Sequence, residues 1–98
     1  MEKQHSDITD CMLQRRPDML FSRIDDEVVM MSAETGEYYG LNPVASRIWD
    51  LLETPHSFEQ LTDLLMREFD IDEQTCRKDV GNFLNRLIEK KLIIAEKE

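Results

Sequence analysis

The chain has 98 residues, and its 21 acidic against 12 basic side chains give a formal net charge of −9. This length provides for one hydrophobic core and therefore one domain. With 41% hydrophobic and 34% charged residues, the composition is typical of a small globular protein and not of a disordered chain. The negative charge repels phosphate backbones, so we expect no nucleic-acid partner.

The sequence contains no apolar run near the roughly 20 residues that a membrane span requires. Charged residues also interrupt the N-terminus, where a secretory signal needs an apolar segment. We therefore expect a cytoplasmic protein without a membrane partner. Cys11 and Cys76 lack metal-ligand spacing and are expected to be reduced thiols in that compartment.

Residues 1–17 mix charges without any period, and we predict that they form a flexible N-terminal tail. Three short strands are predicted next, as an antiparallel meander with turns at 25–26 and 33–36. The strands cover residues 18–24, 27–32 and 37–41.

The middle strand of this meander is apolar on both faces. Val28 and Met30 face one way, whereas Val29 and Met31 face the other. A chain of this length provides few helices to cover both faces. One face is therefore either partly exposed or a docking surface for a partner or a second copy, which makes a homodimer one of the alternatives.

Three helices are predicted after the meander. Asn42 is suited to the N-cap and Pro43 to the first position of a helix that ends near residue 53. Trp49 is expected to anchor this helix to the sheet. A capping box formed by Ser57 and Gln60 predicts the start of the second helix.

Asp72 is suited to cap the third helix, and residues 92–95 are predicted to form a short final strand. The predicted fold class is therefore α+β and winged-helix-like. It consists of a three-stranded antiparallel sheet followed by a three-helix bundle.

The sequence shows no pattern typical of catalysis. His5 lies in the predicted tail and His56 in a turn, so neither is placed to activate a Ser or Cys nucleophile. There is no P-loop, GxGxxG or CxxC motif. We therefore predict a binding module that is not an enzyme and that has no cofactor and no metal site.

The strand at 37–41 is the last of the predicted sheet, so one of its edges is unpaired. Such an edge can take up an extended peptide as an additional strand, with main-chain hydrogen bonds providing affinity and side-chain pockets providing specificity. The third helix can supply the opposite wall of a groove, with a negative rim from Asp72, Glu73 and Asp79. The same apolar stripe is also compatible with a helix that packs only on the other two.

Two functions of other classes compete with peptide binding. A winged-helix regulator would insert the third helix into the major groove of DNA. Its basic residues would be Arg77, Lys78, Arg86, Lys90 and Lys91, which acidic neighbours dilute. A purely structural dimerisation subunit would use the spare sheet face.

Residues 28–52 closely resemble the PqqD-like family, the precursor-peptide recognition elements of ribosomally synthesised and post-translationally modified peptides. The specific part is the string Tyr-Tyr-Gly-Leu-Asn-x-x-Ala-x-x-Ile-Trp at 38–49. The resemblance extends over roughly residues 18–95, which we take as the recognition domain. It implies that the leader segment of a precursor peptide adds as a strand beside the third strand, in the cleft against the third helix.

The resemblance also implies which residues bind the peptide. They are the edge residues Glu37, Tyr38, Tyr39, Gly40 and Leu41, the pocket residues Val80, Phe83, Leu84 and Leu87, and Cys76 and Asp79 near the rim. Within the family, the chain is most similar to the stand-alone leader-binding proteins of lasso-peptide biosynthesis. Those proteins deliver the precursor to a leader peptidase and a macrocyclase. The alternative is the PqqD branch proper, which presents its peptide to a radical SAM enzyme.

Overall fold

The structure is a computed structural model, and it describes residues 5–17, 19–25, 27–31 and 36–97. A short 3₁₀ helix at His5–Asp10 comes before the regular elements. These are β1 (Cys11–Arg15), β2 (Leu20–Ile24), β3 (Glu27–Met31), β4 (Tyr38–Gly40), α1 (Pro43–Leu51), β5 (His56–Ser57), α2 (Phe58–Glu68), α3 (Glu73–Glu89) and β6 (Ile93–Lys97). The predicted fold class, a three-stranded antiparallel sheet followed by three helices, is confirmed.

The meander β2-β3-β4 has one covered and one partly exposed face. On β3, Val28 and Met30 are 0% exposed because their face packs against the helices. Val29 and Met31 on the opposite face are only half-buried. In the antiparallel register of β2 and β3, Leu20 lies opposite Met31 and is 54% exposed. One apolar face of the sheet therefore remains partly open.

Each helix begins with the cap that its sequence predicts. The Asn42 side chain accepts the backbone N–H of Ala45 at 2.8 Å, and the Asp72 carboxylate accepts that of Thr75 at 3.0 Å. The second of these bonds lowers the pKa of the Asp72 carboxyl. At α2, a complete capping box joins Ser57 and the residue three positions later. The helix starts are thus determined by local hydrogen bonding.

Ser46 in α1 joins this helix to the sheet through a buried hydroxyl. The Val28 N–H donates to the Ser46 Oγ at 2.9 Å, and that hydroxyl donates to the Leu41 carbonyl at 3.0 Å. The Leu41 N–H donates directly to the Val28 carbonyl at 2.9 Å. The hydroxyl therefore stands in for one ladder hydrogen bond between β3 and the segment after β4.

The N-terminal segment forms a second sheet of order β5-β1-β6, a feature absent from the predicted fold. In this sheet Met12 lies opposite Glu96 and Leu13 opposite Ala95, and Leu13 is 0% exposed. The prediction of a flexible tail over 1–17 is therefore wrong for residues 5–15, whereas residues 1–4 lie outside the described part. The tail prediction missed the strand because β1 pairs mainly with a strand some 80 positions later in the sequence.

Arg15 at the end of β1 links this second sheet to α1 through its side-chain contacts. Its Nη1 donates to the Trp49 carbonyl at 3.2 Å, and its guanidinium carbon lies 4.8 Å from the Phe21 ring centroid and 5.4 Å from that of Trp49. The rings of Phe21 and Trp49 meet edge to face at 5.7 Å. Trp49 is 0% exposed, which confirms its predicted role as a core anchor.

The two predicted turns are described only in part. Asp25 has a φ of 53°, the left-handed conformation that a tight turn after β2 requires. Residues 26 and 32–35 lie outside the described part of the chain.

Among the helices that the structure does describe, none combines the length and apolar character needed to cross a bilayer.

Replacing Leu13 by alanine tests the N-terminal strand. Because Leu13 is fully buried, we expect Leu13→Ala to lower the free energy of unfolding by about 2–5 kcal/mol in urea titrations. Arg16→Ala, an exposed neighbour, is the matched control and should change it by less than about 0.5 kcal/mol. Equal stabilities of the two variants would mean that residues 11–15 form a tail after all.

Candidate functional site

A cleft of about 660 Å³ opens between β4 and α3. Its walls come from β4 and the segment that follows it, from α1 and from α3. We call it the β4–α3 cleft, and its lining consists of Met30, Tyr38, Tyr39, Gly40, Leu41, Asn42, Val44, Ala45, Ile48, Ile71, Cys76, Asp79, Val80, Asn82, Phe83, Arg86, Leu87, Lys90 and Leu92.

One wall of the cleft carries unpaired backbone groups. β4 is an edge strand, and no other described strand pairs with its outer side. Because the Leu41 N–H donates to β3, the alternation of an antiparallel ladder directs the N–H and C=O of Tyr39 to β3 as well. The same alternation directs the N–H and C=O of Tyr38 and Gly40 towards the free edge. These two residues therefore provide the hydrogen-bonding groups of the wall.

The α3 wall carries an apolar stripe among its polar residues. Val80 and Leu87 are buried beneath it, and Phe83 is half-buried. Cys76 is also buried; its Sγ lies 3.8 Å from the Thr62 carbonyl, within the range of a weak S–H hydrogen bond. Burial raises the pKa of this thiol, and the nearby Asp79 carboxylate raises it further, so Cys76 behaves as a small neutral apolar group.

Most of the residues expected at the site come together in this cleft. Those that line it are Tyr38, Tyr39, Gly40, Leu41, Cys76, Asp79, Val80, Phe83 and Leu87. Leu84 does not: it is 0% exposed and belongs to the core, because its position on α3 turns it from the cleft towards the other helices. Glu37 lies beside the cleft, where its carboxylate accepts the Tyr39 hydroxyl at 2.7 Å.

The negative rim expected from Asp72, Glu73 and Asp79 is reduced to Asp79. The other two lie at the start of α3 and are not part of the lining, because the cleft begins about one turn further along the helix. The rim prediction is therefore wrong for Asp72 and Glu73.

The cleft also contains two cations that the sequence analysis did not assign to it, Arg86 and Lys90. The Lys90 Nζ lies 5.0 Å from the centroid of the Tyr39 ring. Both cations continue the three- and four-residue spacing that begins at Asp79 and Phe83, so helical periodicity contained the signal. Among the residues that the structure describes, no three His, Cys, Asp or Glu side chains lie close enough together to hold a metal ion.

A pair of alanine variants separates the cleft wall from the core. Leu84→Ala removes a fully buried side chain and should lower the free energy of unfolding by about 2–5 kcal/mol. Phe83→Ala removes a half-buried side chain that borders the cleft and should cost clearly less, in spite of its larger ring. Urea unfolding of both variants gives the comparison, and a larger loss for Phe83→Ala would contradict this assignment.

Comparison with known proteins gives one family and several related structures. The model of the family described as coenzyme PQQ synthesis protein D (PqqD) matches residues 27–93. The structure described as TbiB1 in complex with the TbiA(beta) leader peptide is 38% identical, with a TM-score of 0.72, over 82% of this chain and 93% of that chain. Curated protein sequences give no match.

Two further structures share the fold at lower identity. Lasso peptide synthetase B1 complexed with the leader peptide is 23% identical, with a TM-score of 0.71, over 84% of this chain and 96% of that chain. The PqqD truncation of Methylobacterium extorquens PqqCD, a stand-alone recognition element, is 15% identical, with a TM-score of 0.68, over 90% of this chain and 98% of that chain. The family match covers most of the chain, and the fold agrees with it. The chain therefore belongs to the PqqD family.

Proposed function

We propose that this protein binds the leader segment of a ribosomally synthesised precursor peptide as an added strand beside β4. One observation carries the proposal: the free backbone groups of Tyr38 and Gly40 border a cleft whose opposite wall carries an apolar stripe. An extended peptide satisfies both walls at once, since its main chain continues the sheet and its side chains enter the cleft. TbiB1, which is 38% identical to this chain, has been solved with a leader peptide bound.

Strand addition determines which leader side chains contact α3. Side chains of an added strand alternate between the two faces of the sheet, so every second one shares the face of Met30 and Tyr39. These side chains meet Val80, Phe83 and Leu87. We thus expect the leader to carry apolar residues two positions apart. These side chains supply the specificity, because main-chain hydrogen bonds do not depend on side-chain identity.

Delivery of the bound precursor is the second part of the proposal. We propose that the recipients are a leader peptidase and a macrocyclase of lasso-peptide biosynthesis, on the basis of the tyrosine-rich strand at 37–41. Presentation to a radical SAM enzyme is the alternative, and the neighbouring genes distinguish the two. A cytoplasmic location and a homodimer through the partly exposed sheet face remain predictions.

The structural observations do not favour the competing DNA-binding function. The basic residues of α3 do not form one surface, because Arg77 pairs with Glu59 at 3.0 Å while Arg86 and Lys90 line the cleft. A net charge of −9 also opposes binding to a duplex. Peptide binding, in contrast, requires no rearrangement of the cleft.

Fluorescence anisotropy with a labelled synthetic leader tests the proposed function. The leader is taken from the precursor encoded beside this gene, and a labelled mixed-sequence DNA duplex is titrated in parallel. We expect saturable binding of the leader and no binding of the duplex. Salt-sensitive binding of the duplex without binding of the leader would overturn the proposal in favour of a winged-helix regulator.

Proline at Tyr38 tests the mode of binding. The Tyr38 N–H points to the free edge, so Tyr38→Pro removes a donor that the leader needs and leaves the bonds to β3 in place. Tyr38→Ala loses the same side chain but keeps the donor, which makes it the matched control. We expect the proline variant to bind the leader about tenfold or more weakly than the alanine variant, from one lost hydrogen bond and the steric effect of the ring.

Equal leader affinities of the two folded variants would contradict strand addition at this edge. Proline at Tyr39 is not a suitable substitute for this test. The Tyr39 N–H points to β3, so that change breaks the sheet itself.

A further inference from the structure

The charged residues of the β4–α3 cleft are separated along α3. Asp79 lies in the first half of the helix, whereas Arg86 is in its last turn and Lys90 at its C-cap. At a rise of 1.5 Å per residue, Arg86 lies about 10 Å and Lys90 about 16 Å beyond Asp79 along the helix axis. One end of the cleft is therefore negative and the other positive.

Asp79 and Arg86 have no side-chain partner among the described residues. Two other arginines of the described surface are held in ion pairs: Arg47 lies 2.8 Å from Glu68, and Arg77 lies 3.0 Å from Glu59. Asp79 and Arg86 are thus available to a ligand in the cleft.

Lys90 differs from Arg86 because it already has a partner. Its ammonium lies over the Tyr39 ring, whose hydroxyl donates to the Glu37 carboxylate at 2.7 Å. Part of the positive charge of Lys90 is therefore balanced within the protein. Arg86 is the cation of the cleft that remains unbalanced.

An extended peptide can reach both charges at once. Strand residues rise about 3.3 Å each, and only those an even number of positions apart face the same wall. A separation of four residues spans about 13 Å, which is about 3 Å more than the distance from Asp79 to Arg86 along α3, and the long Arg86 side chain can cover this difference. An acidic and a basic side chain four residues apart therefore fit the cleft.

We infer that Asp79 and Arg86 set the register of the bound leader by pairing with a basic and an acidic side chain four residues apart. This inference rests on the proposed function and adds to it a recognition rule. Main-chain bonds of an added strand are the same after a two-residue slip, so they do not determine which leader residue enters which pocket. Opposite charges at the two ends of the cleft determine this register, because a slipped leader would leave those charges unpaired.

Charge exchange between the cleft and the leader tests the inference. The protein variants are Arg86→Glu and, as a milder change, Arg86→Gln. Arg67→Glu is the control, because Arg67 is exposed on α2, is not part of the cleft lining and changes the net charge equally. The probes are the labelled synthetic leader and a series in which each acidic residue is replaced in turn by lysine.

We expect Arg86→Glu to weaken binding of the unmodified leader by about tenfold or more, with Arg86→Gln intermediate and Arg67→Glu within about twofold. One lysine-substituted leader should bind poorly to the unmodified protein and recover most of the affinity with Arg86→Glu. The leader residue identified in this way should have a basic residue four positions away.

Other results separate the two proposals. If the leader binds the unmodified protein and Arg86→Glu equally well, or if no lysine substitution restores binding to that variant, the charge rule is wrong and leader binding stands. If the leader does not bind the unmodified protein at all, both proposals fail. Circular dichroism of each variant establishes that it is folded before affinities are compared.

Discussion

The position of the free strand edge depends on a single buried hydroxyl. Ser46 accepts the Val28 N–H and donates to the Leu41 carbonyl, so it occupies a place in the ladder where a direct bond would otherwise form. Its own N–H donates to the Asn42 carbonyl within the first turn of α1. One residue thereby joins the sheet to the helix that follows it, and the direction of β4 relative to the helices is determined at this point. A valine here would leave a buried N–H and a buried carbonyl without partners, which is costly in an apolar interior.

An unpaired edge usually endangers a protein, since it invites pairing with any other chain. Here the edge is short, and it borders a cleft instead of an open surface. A second strand can approach β4 only if its side chains also fit between β4 and α3, where Phe83 and Leu87 form the wall. The cleft thus restricts which strands can pair with the edge, so under the proposed function recognition and protection from aggregation have the same physical origin.

Local chemistry made much of this fold predictable, and long-range contacts account for what was missed. The caps at Ser57 and Asp72 each bond a backbone N–H three residues later. Because cap and partner are so close along the chain, the residue types in the sequence are enough to predict them. The strand at 11–15 could not be recognised, because its main partner lies at the other end of the chain and its own pattern is weak. On α3 the periodicity predicted the apolar stripe but not the border between wall and core, so Leu84, which the resemblance implied as a pocket residue, lies in the core. Arg86 was considered only as a basic residue of the competing DNA-binding function, because helical spacing does not indicate which neighbour a charged side chain faces.

The pairing of β1 with β6 has a consequence for the order in which the molecule folds. The register joins Cys11 to Lys97, so this sheet forms only after nearly the whole chain has been brought into a closed loop, with the entropy loss that this requires. The meander β2-β3-β4 joins neighbours in sequence and needs no such closure. We expect the meander and α1 to assemble early and the β5-β1-β6 sheet to assemble late, as contact order implies. Hydrogen exchange should then show the β5-β1-β6 sheet opening without the meander, so that the two sheets form separate cooperative units within one small domain.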